Sequence, residues 1–197
     1  MDDLFFNDDH ILVRDTVKKF ADEKIMPVAR EMDRTGEFPK KLVAEMSQLG
    51  FMGFHIPKKY GGAQLDMISY AMVIMELARA DASVAITMAA HTSLGTLPLL
   101  MLGNDDQKRK FLPDIASGKT LSAFGLTEPN SGSDAGACKT KAILQGDYYI
   151  VNGGKIFITN AGYAKLLIFT SRIEHNGRDL GIGAFIIPTN ISGLEIG

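Results

Sequence analysis

The sequence changes its hydrophobic period within residues 117–126, SGKTLSAFGL. Before this stretch, apolar residues recur at spacings of three and four, which is typical of amphipathic helices. After it, short runs of β-branched and aromatic residues alternate with turn pairs such as Gly153-Gly154, which is typical of strands. We therefore predict an α+β protein, with an all-helical domain in residues 1–118 and an antiparallel β domain in residues 119–197. We expect the β domain to be truncated, because the last strand candidate lacks a closing partner.

Five helices are predicted in the first domain from apolar periodicity, caps and prolines. Their expected limits are Asp8 or Asp9 as cap to a bend or end at Pro27, Pro39 to Gly50, a third beginning at the cap Asp66, residues 82–104, and residues 105–112, capped by Asn104 and ending near Pro113 and Gly118. The predicted strands are residues 121–126, 139–144, 148–152, 155–159, 166–172, 183–188 and 193–197. Turns are expected between them, for example at Gly146-Asp147 and Asn176-Gly177.

Residues 82–104 contain no Asp, Glu, Lys or Arg and are long enough to span a bilayer. Polar residues and Pro98 interrupt the stretch, and no basic flank marks a cytoplasmic side. We therefore expect a helix buried inside the protein and no membrane span.

The composition excludes several function classes. Lys and Arg number 21 against 23 Asp and Glu, so the chain lacks the basic footprint of a nucleic-acid or anionic-lipid binder. Cys138 is the single cysteine and has no Cys or His at metal-ligand spacing, so we expect a reducing compartment, no disulfide and no metal site. The first ten residues are acidic and lack an apolar run, so we expect no signal or transit peptide.

The densest group of unusual residues is 124–134, FGLTEPNSGSD, between two predicted strands. A strand that breaks into Pro129, Gly132 and small hydroxyl residues exposes backbone N–H groups, which suit the oxygens of a phosphate or a polarised heterocycle. The alternative from composition alone is a long β connection with Asx and Ser turns. For Glu128 and Asp134 we expect turn capping rather than acid–base work, because neither has an evident partner that would shift its pKa.

The order of these residues resembles the first signature of the acyl-CoA dehydrogenase family. Three further segments resemble the same family in the expected order, so the resemblance covers nearly the whole chain. They are residues 53–62 (GFHIPKKYGG), residues 103–108 (GNDDQK) and residues 155–160 (KIFITN).

The resemblance implies an FAD enzyme that dehydrogenates an acyl-CoA thioester between Cα and Cβ. In such enzymes a glutamate removes the α-proton while the β-hydrogen leaves as hydride to flavin N5. The family carries this base in a C-terminal helical bundle, so no catalytic residue is assigned here and the isolated chain is expected to show little or no turnover. The resemblance also implies an electron-transferring flavoprotein as acceptor, a homotetramer at full length, and a bacterial cytoplasmic or mitochondrial matrix location.

The same resemblance assigns candidate binding residues by their place in each motif. The flavin is expected to contact Phe124, Leu126 and Thr127 from the first motif and Phe157, Ile158 and Thr159 from the second. The acyl-CoA is expected to contact Ser133 through its pantetheine arm and Ile86, Thr87 and Ala90 along its acyl chain. Phe157 stands where the family more often has Trp, which keeps an aromatic face but removes the indole N–H donor.

Several of these residues also have structural explanations that require no ligand. Met67, Met72, Met75 and Met88 are typical of adaptable core packing, and the four histidines share no spacing with a nucleophile or a metal ligand. Phe157 and Ile158 also fit alternating strand packing. The open alternatives for function are an acyl-CoA oxidase-like flavoprotein, a non-catalytic acyl-CoA-binding fragment, and a packing module that binds neither ligand.

Overall fold

A computed structural model describes residues 6–197, and the chain divides after Thr120 into a helical unit and a sheet unit. The predicted α+β class is confirmed. The expectation about the first ten residues falls partly on residues 1–5, which lie outside the described part of the chain.

Helices make up the unit before residue 121. Their bounds are α1 Asp8–Phe20, α2 Met26–Thr35, α3 Lys40–Gln48, α4 Met67–Ala80, α5 Ala82–Ala89, α6 Leu97–Leu102 and α7 Asp105–Ala116. Two π-helical segments, Ala21–Ile25 and Ala90–Leu94, join α1 to α2 and extend α5. Two short 3-10 turns, Phe51–Gly53 and Lys58–Tyr60, lie between α3 and α4.

The helix caps agree with the sequence in two cases and correct it in one. Asp66 accepts from the Ser69 amide at the start of α4, and Asn104 caps α7 in a capping box with Gln107. The cap of α1 is Asn7, whose side chain accepts from the amide of His10. Asp8 and Asp9 lie in the first turn instead, where a carboxylate complements the helix dipole without capping.

Helical backbone continues past both prolines, but the break predicted near Pro27 is present as the π-helical segment Ala21–Ile25, and α7 ends between Pro113 and Gly118 as predicted. Pro27 lies in the first turn of α2, directly after the π-helical segment Ala21–Ile25, so α1 ends before this proline while the backbone stays helical. Pro113 lies inside α7, which continues to Ala116. Burial of Leu112 and Ile115 on either side of Pro113 offsets the backbone hydrogen bond that this proline removes.

The uncharged segment, predicted as one helix, forms α5, the π-helical segment after it and α6, which contribute to the core of this unit. Val84, Met88 and Leu99 are almost fully buried, and Phe20, Phe51 and Phe54 form an aromatic cluster in the same unit. Within residues 6–197, one helical run, Ala82–Leu102, is long and apolar enough to cross a membrane by length and composition alone. The most apolar part of this run is 56% buried inside the protein, and a helix of a protein core can have the same length and composition.

The second unit is a five-stranded sheet. Its strands are β1 Ser122–Gly125, β2 Lys141–Gln145, β3 Tyr148–Asn152, β4 Leu166–His175 and β5 Arg178–Pro188. The path β1-β4-β2-β3 runs through β4, which also pairs with β5.

The sheet is mixed, which corrects the expectation of a purely antiparallel one. β4 runs parallel to both β1 and β2, with Ser122 opposite Leu166 and Lys141 opposite Arg172. The β2–β3 and β4–β5 pairs are antiparallel. Parallel pairing is possible because the long connection from β1 to β4, which contains the β2–β3 hairpin, returns the chain in the same direction.

Both predicted tight turns are present. Asn176 and Gly177 have φ values of +51° and +74°, as a type I′ hairpin turn requires, and connect β4 to β5. Gly146, with a φ of +61°, begins the turn between β2 and β3. The strands predicted at residues 155–159 and 193–197 are wrong, because neither segment pairs with the sheet. In the first of these, the left-handed backbone of Phe157 (φ +60°) breaks the extended conformation.

Candidate functional site

The two motifs that carry the flavin assignment lie side by side in the sheet unit. The Ile156 amide donates to the Thr127 carbonyl at 2.9 Å. The Lys155 ammonium donates to the Leu126 carbonyl at 3.1 Å. Segment 126–128 therefore continues from β1 directly against segment 155–160, although 27 residues separate Glu128 from Lys155.

The far end of the second motif is fixed to β1. The side-chain amide of Asn160 donates to the Ser122 carbonyl at 3.4 Å, and the Lys165 amide donates to the Leu121 carbonyl at 2.9 Å. Asn160 has a φ of +72°, a left-handed conformation that asparagine tolerates better than most residues. Residues 156–160 are thus held at both ends, and the side chains between the anchors are presented by a fixed backbone.

Phe157 is the most unusual residue of this segment. Its φ is +60°, and its side chain is 87% exposed. A bulky residue in the left-handed region is a genuine outlier that costs about 1–3 kcal/mol and clusters at ligand-binding sites. A flat ligand that covers the Phe157 ring would account for both the backbone conformation and the exposure of this large apolar side chain.

Two threonines lie near Phe157: Thr159 is two residues along the chain, and the Thr127 carbonyl accepts from the amide of the preceding residue, Ile156. Within residues 6–197, the side-chain hydroxyls of Thr127 and Thr159 make no hydrogen bond to protein, and Leu126 is 37% exposed beside them. Phe124 and Ile158 are half-buried. Two neutral hydroxyls next to exposed apolar surface suit a heterocycle with polar edges and an apolar face. The residues present therefore fit an isoalloxazine ring.

Glu128 and Lys155 form a buried ion pair beneath the two motifs. Their charged atoms are 2.6 Å apart, and the side chains are 4% and 9% exposed. Burial alone would raise the pKa of Glu128, but hydrogen bonds from Lys155, Thr140, Cys138 and the Lys139 amide hold it well below its ordinary value. Glu128 is therefore a carboxylate across the physiological pH range, which does not suit a proton-transfer group.

The interpretation of Glu128 as a residue without a partner is wrong. Its carboxylate accepts from the Lys139 amide at 2.7 Å and from the Thr140 amide at 3.1 Å. Asp134 lies at a turn, immediately before the short 3-10 segment Ala135–Ala137, but its side chain does not cap that segment; its backbone carbonyl accepts from the Ser131 hydroxyl at 2.7 Å.

Ser133, the candidate for the pantetheine arm, lies exposed on the loop between Glu128 and Thr140. Arg172 of β4 holds this loop from one side, donating to the Gly136 carbonyl at 2.7 Å and to the Cys138 carbonyl at 3.4 Å. The loop is thus a fixed structure that projects Ser133 into solvent.

The three acyl-chain candidates lie in α5 and the π-helical segment after it, and they differ in exposure. Ile86 is 54% exposed, whereas Thr87 and Ala90 are buried within the helical unit. The methionines divide in the same way, with Met72 and Met88 buried and Met67 and Met75 exposed. Among Ile86, Thr87 and Ala90, it is Ile86 that reaches the surface of its unit.

Other ionisable groups in the helical unit have structural partners. His10 accepts from the Asn7 amide through Nδ1, so its Nε2 carries a proton and donates to Asp66 at 2.7 Å. His91 is fully buried, and burial lowers its pKa to about 4. Among residues 6–197, no group of three or more His, Cys, Asp and Glu side chains is placed to hold a metal ion.

Sequence reasoning quoted Lys155 in a motif but gave it no role, and it missed Cys138, Thr140 and Arg172 as parts of the site. Their partners are 10 to 36 residues away and follow no local spacing. The sequence offered one signal: Lys155 is the single charged residue of the motif 155–160. A lysine that is buried with such a segment requires a counter-ion.

Comparison with known proteins gives a consistent assignment. Residues 7–119 match the family model for the acyl-CoA dehydrogenase N-terminal domain, and residues 123–197 match that for the middle domain. An acyl-CoA dehydrogenase of Bacillus subtilis is 45% identical over 190 residues, which is 96% of this chain and 50% of that protein. The caffeyl-CoA reductase-Etf complex subunit CarC of Acetobacterium woodii is 34% identical over 195 residues, covering 98% of this chain and 52% of that protein.

A solved structure agrees with these matches. The crystal structure of an acyl-CoA dehydrogenase complexed with FAD from Bacillus anthracis has a TM-score of 0.88 at 36% identity, covering 96% of this chain and 33% of that one. The chain spans about half the length of the curated relatives it matches.

Proposed function

The chain belongs to the acyl-CoA dehydrogenase family, and on that premise we propose that it supplies the helical and β portions of an enzyme that uses FAD to dehydrogenate an acyl-CoA thioester between Cα and Cβ. The observation that carries the proposal is the side-by-side arrangement of the Thr127 and Thr159 motifs around the exposed ring of Phe157. A scaffold without a ligand has no need for this combination.

Bound FAD would supply the redox chemistry by accepting the β-hydrogen as hydride. The residues of this chain would orient the ring. Thr127 is proposed to hold the pyrimidine edge and Thr159 to donate near N5, where a neutral hydroxyl stabilises incoming negative charge without competing as a base. Phe157 would cover one part of the ring, with Leu126, Phe124 and Ile158 providing apolar contacts.

The acyl-CoA is proposed to meet two separate parts of the chain. Ser133 would contact the pantetheine arm from its exposed loop in the sheet unit. In the helical unit, Ile86 would contact the acyl chain directly, while the buried Thr87 and Ala90 would act by packing behind it.

No residue of the chain is proposed as the base that removes the α-proton, since Glu128, the carboxylate between the two flavin motifs, is held in a buried ion pair. A missing general base typically costs about 10²–10⁴-fold in rate. We therefore expect these 197 residues alone to show little or no turnover. Acyl-CoA oxidation by the isolated chain at the rate of a complete dehydrogenase would contradict this part of the proposal.

The electron acceptor is proposed to be an electron-transferring flavoprotein, because a relative covering 98% of this chain is a subunit of a reductase-Etf complex. A homotetramer of the complete protein and a bacterial cytoplasmic location are proposed on the same family basis. The relative that is 45% identical to this chain comes from a bacterium, Bacillus subtilis.

The proposal is tested by the visible absorption spectrum of the purified chain after FAD is added and excess removed. We expect a retained flavin band that weakens in Thr127→Val and in Thr159→Val, because each variant loses a hydroxyl and keeps the shape of the side chain. The matched control is Thr16→Val in α1, whose hydroxyl bonds to its own helix at Leu12 and should leave the band unchanged.

Two outcomes contradict the proposal. A parent chain that retains no flavin would show that these residues do not hold the ring by themselves. A band that weakens equally in all three variants would show that the loss comes from general destabilisation rather than from the site.

A further inference from the structure

We propose that Glu128 and Lys155 are positioning residues that hold three segments in one arrangement: the flavin segments 126–128 and 155–160, and the loop that carries Ser133. This inference rests on the proposed function, which assigns flavin binding to the two segments and acyl-CoA binding to Ser133. It adds that cofactor binding and presentation of the substrate loop depend on the same buried ion pair.

Lys155 supplies the contacts to the first motif. Its ammonium donates to Glu128 at 2.6 Å, to the Leu126 carbonyl at 3.1 Å and to the Thr170 hydroxyl of β4 at 3.3 Å. Cys138 Sγ is a fourth acceptor at 3.6 Å, so the three donors of the ammonium are fully used. With the Ile156 amide bonded to Thr127, consecutive residues of one motif are tied to consecutive residues of the other.

Glu128 supplies the contacts to the loop. One carboxylate oxygen accepts from the Lys139 amide and the other from Lys155, while the Thr140 amide lies within 3.3 Å of both. Glu128 begins the loop, and Lys139 and Thr140 end it. A single carboxylate therefore closes the loop on itself and joins it to the second flavin motif.

The backbone of β1 makes room for this pair. A Cβ on Gly125 would lie 3.1 Å from both Cγ of Lys155 and Cβ of Phe169. That spacing is tighter than most real contacts, so the absence of a side chain at Gly125 allows the stem of Lys155 to pass over the strand. The close approach shows that the lysine is built into the unit rather than resting on its surface.

The pair acts through other residues, because it is too deeply buried to meet a ligand. Among the ion pairs of the described residues 6–197, it is the one in which both side chains are less than a tenth exposed. A buried charge that loses its partner is strongly destabilising, whereas a pair removed together leaves no uncompensated charge. A double substitution that removes both charges therefore tests the positioning role without leaving a buried charge unpaired.

The experiment measures amide hydrogen exchange of the purified chain without FAD. The test variant is the double substitution Glu128→Gln with Lys155→Met, which removes both charges and keeps similar volumes. Lys155→Arg keeps the charge, and Lys141→Met, in an exposed pair with Glu174, is the matched control. We expect the amides of Ile156, Lys139 and Thr140 to exchange at least about tenfold faster in the double variant, with β4 unchanged. Lys155→Arg and Lys141→Met should exchange as the parent does.

A second readout is FAD affinity, measured by flavin fluorescence. We expect the double variant to bind about tenfold more weakly than the parent, with affinity largely restored in Lys155→Arg. These changes should accompany the local exchange changes, since both arise from the same loosened segments.

The results separate failure of the pair from failure of the proposed function. Parent-like exchange at Ile156, Lys139 and Thr140 in a folded double variant would overturn the inference, whether or not FAD binds. Exchange that accelerates equally throughout β4 and β5 would also overturn it, since that marks only lost stability. If the parent binds no FAD while the local acceleration occurs, the flavin proposal fails and the positioning role stands.

Discussion

Helix-capping side chains of the first unit bond to backbone amides within one turn of chain, with Asp66 also bonded to His10 across 56 residues, whereas the polar side chains around the candidate site bond across the second unit. Asn7, Asp66, Asp81 and Asn104 each cap a backbone amide three residues ahead. In the sheet unit, Glu128 meets Lys155 across 27 residues, and Arg172 meets Gly136 across 36. Local contacts stabilise one element at a time, while the long-range contacts each join several segments.

This difference predicts where a single substitution does most damage. Lost caps weaken one helix end, and the rest of the unit remains packed. Loss of one member of a buried pair strands a charge and releases every segment that the pair joined. The following substitutions test that contrast, from the largest expected effect to the smallest.

Lys155→Met should lower the free energy of unfolding by about 3–5 kcal/mol, because it removes the lysine that pairs with the buried carboxylate of Glu128. Lys141→Met removes a lysine from an exposed pair whose atoms are 3.5 Å apart, and should cost about 0–1 kcal/mol. Urea unfolding of both variants beside the parent gives the two values. Equal losses of unfolding free energy in the two variants would contradict the view that the buried long-range pair contributes more than the exposed pair.

Asn104→Ala should cost about 1 kcal/mol, because it removes the side chain that caps α7 and half of its capping box. The control is Asn190→Ala, an exposed position at which no side-chain hydrogen bond is present within residues 6–197. Urea unfolding again provides the measurement. A loss as large as that of Lys155→Met would contradict the view that caps act on one helix end only.

Asp66→Asn should have the smallest effect and a defined pH dependence. Hydrogen bonds from His10 and the Ser69 amide lower the pKa of Asp66 from 3.8 to about 2. The ionised carboxylate therefore adds stability above about pH 4, and that contribution is lost as the pH falls through about 2. Asparagine still caps α4, and the side chain is 55% exposed, so the expected loss is below about 1 kcal/mol.

Thermal unfolding of parent and Asp66→Asn at pH 5, 4, 3 and 2 measures this dependence. The difference between the two proteins should shrink as the pH falls below 4. A difference that is constant from pH 5 to pH 2 would show that the charge of Asp66 contributes nothing to stability.

The same contrast explains what the sequence could predict. Caps and turns such as Asp66, Asn104 and Asn176-Gly177 are local signals, and the structure confirms them. The α+β class follows from hydrophobic period alone. Parallel pairing of β1 with β4 was missed because nothing near either strand specifies its neighbour.

The candidate site was predictable as two motifs but not as a geometry. The order of residues around Thr127 and Thr159 points to a family, and the resemblance assigns their roles. The left-handed backbone of Phe157 was missed because an aromatic residue normally favours extended backbone, and the partner of Lys155 was missed because no periodicity links it to Glu128.

The central claim is that the sheet unit holds a flavin between the Thr127 and Thr159 motifs. The most direct measurement is a methyl NMR titration of the threonine-labelled chain with FAD. The account predicts the largest shifts at the Thr127 and Thr159 methyl groups, with Thr16 and Thr35 in the helical unit unchanged. Saturable FAD binding with the largest shifts at other threonines, or no shifts at all, would contradict it.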